Sequence, residues 1–244
     1  MRTDVLGVGF DDISANQAVE FACEKMRGGE NAYVVTPNPE IVWMCRRSEA
    51  LKAAINGAAL VLPDGIGIII AARILGTPLQ CGRLPGIDFV SLLLEKMAES
   101  GGRVFLFGAK PGVAEEAGNR IKEKYPGLSI AGTADGYFSD DAPIVRQINE
   151  ARPDFLLVCL GAPKQELWMA ENARSLNAPL CAGLGGVLDV FAGNAKRAPV
   201  IFQKLALEWF YRLICEPRRL KRMIKLPLFV LVVILNRLRG VRKK

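Results

Sequence analysis

Two short stretches place polar groups where a strand would end. Thr36-Pro37-Asn38-Pro39-Glu40 sets a hydroxyl and an amide between prolines that hold the loop stiff. Leu62-Pro63-Asp64-Gly65 sets a carboxylate beside a glycine that lets a ligand approach. Asp64 there suits a general base, and it equally suits the N-cap of a following helix. Three glycine-bearing segments, Gly108–Gly112, Gly161–Gln165 and Gly183–Gly186, each follow an apolar run and precede a helical pattern. Backbone N–H groups at such junctions receive phosphates, and the same glycines also serve tight turns. Gly183-Leu184-Gly185-Gly186 departs from the dinucleotide fingerprint, and no Gly-Lys-Ser/Thr follows Gly108 to make a P-loop.

The chain has 244 residues and no histidine. That excludes a Ser-His-Asp or Cys-His machine, a His-ligated metal and an imidazole base, leaving proton transfer to carboxylates, Lys, Tyr or Cys. Asp-x-Asp is absent, and the pairs Asp11-Asp12 and Asp140-Asp141 fall where helices are expected to begin. A metal-diphosphate clamp therefore has no visible ligands, so Arg and Lys must neutralise any diphosphate. The six cysteines show no CxxC spacing and read as reduced, core-filling side chains.

Short apolar strands alternate with amphipathic helices through the body, the pattern of an α/β protein with a Rossmann-like, mostly parallel sheet. Strands are expected at Val5–Val8, Ala32–Thr36, Ala59–Leu62, Arg103–Phe107, Leu128–Gly132, Phe155–Leu160 and Leu180–Ala182. Ser14 with Gln17 predicts a capping box opening a helix that runs to Gly28-Gly29. Helices are also expected over Glu40–Arg47, Glu49–Asn56, Gly67–Leu75, Asp88–Ser100, Ala142–Ala151 and Lys164–Leu176, with others after Gly112 and near Asp189.

Charge divides the chain in two. Residues 1–195 carry 18 Lys/Arg against 23 acids, net −5, while residues 196–244 carry 14 against two, net +12. We read 1–195 as the catalytic domain and 196–244 as a basic, amphipathic helical appendage. Nucleic acid would suit the charge, but Trp209, Phe210, Tyr211 and Phe229 would not sit in a solvated tail. An anionic membrane surface accounts for both features, each basic residue near it worth ~1 kcal/mol. The apolar run Leu226–Leu235 is ten residues long, against roughly 20 for a spanning helix. No signal peptide precedes Asp11, which points to a cytoplasmic location. The apolar face over Val200–Ile214 could pack on the body, on a second subunit or on lipid.

Taken together the motifs resemble the WecG/TagA/CpsF family, glycosyltransferase family 26. They include Thr36-Pro37-Asn38-Pro39-Glu40, Pro63-Asp64-Gly65-Ile66-Gly67, Arg83-Leu84-Pro85-Gly86-Ile87-Asp88 and Phe107-Gly108-Ala109-Lys110-Pro111-Gly112. Asp135-Gly136-Tyr137-Phe138, Gly161-Ala162-Pro163-Lys164-Gln165-Glu166, Gly185-Gly186-Val187-Leu188-Asp189 and Leu207-Glu208-Trp209-Phe210-Tyr211-Arg212-Leu213 continue the match in order. The resemblance implies an inverting transferase, without metal or cofactor, acting on a UDP-sugar and a lipid-diphosphate-linked sugar at the cytoplasmic membrane face. The chain looks most like the Gram-positive branch that joins N-acetylmannosamine to undecaprenyl-diphosphate-N-acetylglucosamine for wall teichoic acid. Other branches would use UDP-N-acetylmannosaminuronic acid or UDP-glucose.

Carried onto this chain, the resemblance makes Asp64 the general base, with Thr36 beside it. It makes Asn38, Arg83, Asp88 and Gln165 substrate-binding residues, and Gly108, Gly185 and Gly186 of the glycine-bearing segments are expected to bind substrate with them. Tail arginines, chiefly Arg212, Arg218, Arg219 and Arg222, are expected either to fold over the leaving diphosphate or to touch lipid headgroups. A dinucleotide-dependent oxidoreductase would need the missing fingerprint. A membrane scaffold would explain the tail but not the polar residues at strand tips.

Overall fold

The computed structural model describes residues 2–29, 31–215 and 225–241. The chain opens with a hairpin, β1 (Thr3–Val5) and β2 (Val8–Phe10), forming its own antiparallel pair. The strand expected at Val5–Val8 therefore straddles a turn. Leu6 and Gly7 take φ of 56° and 87°, the two-positive-φ geometry that closes a two-residue hairpin. Helix α1 (Ala15–Gly28) begins at the expected capping box: Gln17 N–H donates to Ser14 Oγ, and Ser14 N–H donates to Gln17 Oε1.

Along the chain follow β3 (Ala32–Val35), α2 (Pro39–Cys45), α3 (Glu49–Asn56), β4 (Leu60–Val61), α4 (Ile66–Leu75) and α5 (Gly86–Ala98). The second half holds β5 (Arg103–Gly108), α6 (Val113–Lys124), β6 (Ser129–Ala134), α7 (Ala142–Ala151), β7 (Phe155–Cys159) and α8 (Lys164–Asn172). The last strand is β8 (Leu180–Gly183), followed by α9 (Val187–Phe191), α10 (Val200–Lys204), α11 (Glu208–Cys215) and α12 (Lys225–Val241). Six strands form one parallel sheet in the order β4-β3-β8-β7-β5-β6.

The central strands are buried on both faces, as their continuous apolar sequences require. One face packs α1, α5, α6 and α9 over Val34, Leu106, Leu157 and Ala182. The other packs α2, α3, α4 and α8 over Val35, Phe107, Val158 and Cys181. Cys45, Cys159 and Cys181 are buried, and desolvation pushes their thiols up to about 11, 12 and 12. They remain protonated at neutral pH and act as small apolar side chains.

Asp11 and Asp12 do not cap a helix, contrary to expectation. Asp11 takes the Arg2 guanidinium and the Val61 N–H, and Asp12 takes the N–H groups of Gln80 and Cys81. They tie the hairpin connection to the sheet edge and to the loop after α4.

The stretch Val200–Ile214, apolar at near-helical spacing, forms two helices rather than one. The break follows α10, where Ala206 takes φ 57°. The C-terminal α12 docks on α2 and α4, burying Phe229 and Val233 fully, four residues apart on one helical face. Arg237 Nη1 donates to the Leu75 carbonyl at 3.0 Å, satisfying the C-terminus of α4. Among the described residues no helix is long and apolar enough to cross a membrane.

Candidate active site

β3 and β8 are neighbours, but the chain leaves them toward opposite faces, into α2 and α9. Divergence of two adjacent connections opens a crevice at the carboxyl ends of the strands, where ligands bind in such sheets. A cavity of about 390 Å³ occupies this place.

Thr36, Asn38, Asp64, Arg83 and Gly186 all line it. Thr36 is buried at the end of β3. Asn38 caps α2, its Oδ1 accepting the Ile41 N–H at 3.1 Å, so the group it can offer a ligand is its amide N–H. Asp64 follows β4, and its backbone N–H donates to the Pro37 carbonyl, locking the two loops together. The residue that caps α4 is Gly65, at φ 90°, with no side-chain cap bond. Asp64 thus stands one residue before the N-cap position of α4. A Cβ on Gly67 would lie 2.5 Å from Pro39 Cγ, so a glycine is what lets α4 approach α2 and bring Asp64 to Asn38.

Arg83 reaches the cavity from the loop before α5, yet it is engaged by the C-terminal segment. Its Nη2 donates to the Gln203 carbonyl at 2.7 Å and to Glu208 Oε1 at 3.3 Å. Asp88, on the first turn of α5, forms an ion pair with Arg197 instead of lining the cavity. The pairs run in opposite senses, Arg83 to Glu208 and Asp88 to Arg197, and together they fasten residues 83–88 to residues 197–208.

Gln165, Gly185 and Gly108 do not line the cavity. Gln165 is buried at the start of α8, and its Oε1 accepts N–H bonds from Gly161 at 3.2 Å and Gly185 at 3.0 Å. One amide thus ties the loop after β7 to the loop after β8. Its Nε2 donates to Glu166 Oε1, which fixes which way the amide faces. Glu166 is almost fully buried, and among the described residues its Oε2 has no hydrogen-bond partner. Desolvation raises its carboxyl above the ordinary range, against the hydrogen bond from Gln165. Gly108, at φ 126°, lies where a Cβ would collide with the Cys159 carbonyl, so it spaces β5 against β7.

Arg212 stands on α11 without a described side chain, and Arg218, Arg219 and Arg222 lie outside the described residues. Sequence reasoning missed Glu208 and Trp209 as cavity residues, although both sit inside a quoted motif. It also missed the apolar wall formed by Ile66, Ile70, Phe229 and Val230. No spacing rule connects α4 with a helix more than 150 residues later. Among the described residues, no three metal-ligating side chains cluster to hold a cation.

The glycosyl transferase WecG/TagA/CpsF family model matches residues 3–243. The chain belongs to this family. A Bacillus spizizenii relative named N-acetylglucosaminyldiphosphoundecaprenol N-acetyl-beta-D-mannosaminyltransferase is 38% identical over 205 residues, covering 84% of this chain and 79% of the relative. A Bacillus subtilis relative of the same name is 38% identical over 203 residues, covering 83% and 79%. A same-named protein of Staphylococcus aureus (strain NCTC 8325 / PS 47) is 36% identical over 235 residues, covering 94% and 91%. The protein is a glycosyltransferase, and the crevice where its strand-tip polar groups converge is its candidate active site.

Proposed function

We propose that the protein transfers N-acetylmannosamine from UDP-N-acetylmannosamine to undecaprenyl-diphosphate-N-acetylglucosamine, in building the wall teichoic acid linkage unit. The observation that carries this reading is the convergence of Asp64, Thr36, Asn38 and Arg83 on one cavity, in a chain whose relatives are named for that transfer.

In this reading the Asp64 carboxylate takes the proton from the acceptor hydroxyl as its oxygen attacks the anomeric carbon. The bond to the diphosphate breaks on the opposite face, the electron pair leaves with UDP, and the configuration inverts. One carboxylate suffices for one displacement, consistent with a chain that has no histidine. Thr36 and the Asn38 amide N–H orient sugar hydroxyls, and such positioning supplies several kcal/mol of barrier reduction. Gln165 and Gly185 hold the loops that border the donor.

Charge developing on the diphosphate is met by Arg and Lys, because the sequence holds no Asp-x-Asp to carry a metal. Arg83 is the cavity cation, and Arg212, Arg218, Arg219 and Arg222 supply further charge from the tail. The tail's net +12 and the exposed apolar side chains of α10, α11 and α12 fit a peripheral position on the inner face of the cell membrane.

The test is UDP release from UDP-N-acetylmannosamine with a diphosphate-linked N-acetylglucosamine acceptor. Asp64→Asn should lower kcat by about 10²–10⁴ with the fold intact by circular dichroism. Undiminished turnover in that variant removes Asp64 as the base. Absence of release with every UDP-sugar offered removes the transferase assignment.

A further inference from the structure

Two chemically distinct sets of side chains line the cavity. Thr36, Asn38, Asp64 and Arg83 are polar, while Ile70 of α4, Trp209 of α11 and Val230 of α12 are apolar, with the fully buried Phe229 packed among the same lining residues. A sugar nucleotide is polar along most of its length and gains little from such a wall. Two of these side chains also reach the surface, Ile70 at 42% exposed and Trp209 at 38%, and on α12 Leu228, Leu231 and Leu235 are exposed. Helix α12 thus carries exposed apolar side chains as well as residues that line the cavity holding Asp64.

We propose that this apolar wall seats the first isoprene units of the acceptor lipid, with the diphosphate and its sugar directed to the polar set and the rest of the chain leaving along α12. The proposal rests on the transferase reading given above, because that reading supplies a ligand whose head is a sugar diphosphate and whose tail is a polyprenyl chain. Branched five-carbon units match a wall of isoleucine, valine and aromatic side chains. Seating the isoprene nearest the diphosphate also fixes how far the acceptor sugar extends toward Asp64, so the wall acts as a depth stop as well as a binding surface. Helix α12 contributes both to this wall and to the exposed apolar face, so one helix serves the lipid inside the cavity and outside it.

The experiment compares KM for two acceptors with the same diphosphate-N-acetylglucosamine head, one on isopentenyl and one on farnesyl. The full-length chain is used without vesicles or detergent, below the concentration at which either acceptor forms micelles. The wild type should show a KM at least tenfold lower for the farnesyl acceptor. Ile70→Asn should bring that ratio close to unity. Leu92→Asn, a partly exposed leucine on α5 away from the cavity, should keep the wild-type ratio. If Ile70→Asn fails to fold, Val230→Asn on the facing helix carries the same expectation. A wild-type ratio near one, or a ratio that neither cavity variant changes, overturns the proposal. The transferase reading survives that result as long as either acceptor releases UDP, so the two failures are distinguishable.

Discussion

Helix α12 is held to the body by few buried groups, and Phe229→Ala tests how much depends on one of them. Phe229 and Val233 are fully buried, whereas Leu228, Leu231, Ile234, Leu235 and Leu238 are 40–57% exposed. Truncating a buried phenylalanine costs about 3–5 kcal/mol, combining lost transfer energy with the cavity left behind. The helix packs on α2 and α4 and belongs to no sheet strand, so we expect the loss to appear as local undocking rather than global unfolding. At about 1.4 kcal/mol per tenfold, even 3 kcal/mol raises the open population more than a hundredfold. Amide hydrogen exchange resolved by peptide should show that acceleration across residues 225–241, with β5 and β7 unchanged. Leu231→Ala, on the exposed face, should change exchange by less than about 0.5 kcal/mol. Exchange of α12 altered less than threefold by Phe229→Ala, with the whole protein melting earlier, would refute the argument. Phe229 would then belong to the body's cooperative core and not to a separable latch.

Two further predictions concern residues that line the cavity and one that does not. Arg83→Glu and Glu208→Arg should each reduce turnover and loosen residues 200–215. Combining them should restore the attachment, with a coupling energy of about 1–3 kcal/mol in a double-mutant cycle of thermal unfolding, while turnover stays low if the cation itself must face the diphosphate. Glu166, its carboxyl raised by burial, binds its proton more tightly folded than unfolded. Its contribution to stability is whole below the ordinary value of 4.5 and is lost as pH rises through the raised folded value. Urea unfolding from pH 4 to 9 should therefore show a stability decline over that interval which Glu166→Gln flattens.

Local signals fixed much of the architecture. Helix α7 occupies Ala142–Ala151 as expected, and α1 starts at the expected Ser14–Gln17 box, because capping and apolar spacing are decided within a few residues. The hairpin at Leu6-Gly7 was misread as one strand, since a leucine at positive φ carries no sequence signature. In the α10–α11 region the apolar spacing continues through a break set by backbone conformation at Ala206, which the spacing does not reveal.

The motifs themselves announced Thr36, Asn38 and Asp64, because short polar segments framed by proline and glycine at strand ends stand out against apolar runs. Their convergence depends on strand order. β3 and β4 are neighbours, so adjacent loops carry the three residues, and the sheet then inserts β8 beside β3 to complete the crevice. Sequence alone left Asp64 divided between base and cap, and the structure starts α4 at Ile66 with Gly65 at the N-cap position and Asp64 one residue earlier, on the cavity wall. Arg83 was nameable from its motif, but its partner Glu208 lies 125 residues away. The same holds for the apolar wall that α4 and α12 build together. Residue chemistry and local periodicity are carried by neighbours in the chain. Which cation meets which anion, and which apolar faces close on Asp64, are set by long-range packing that only the folded sheet and its docked helix define.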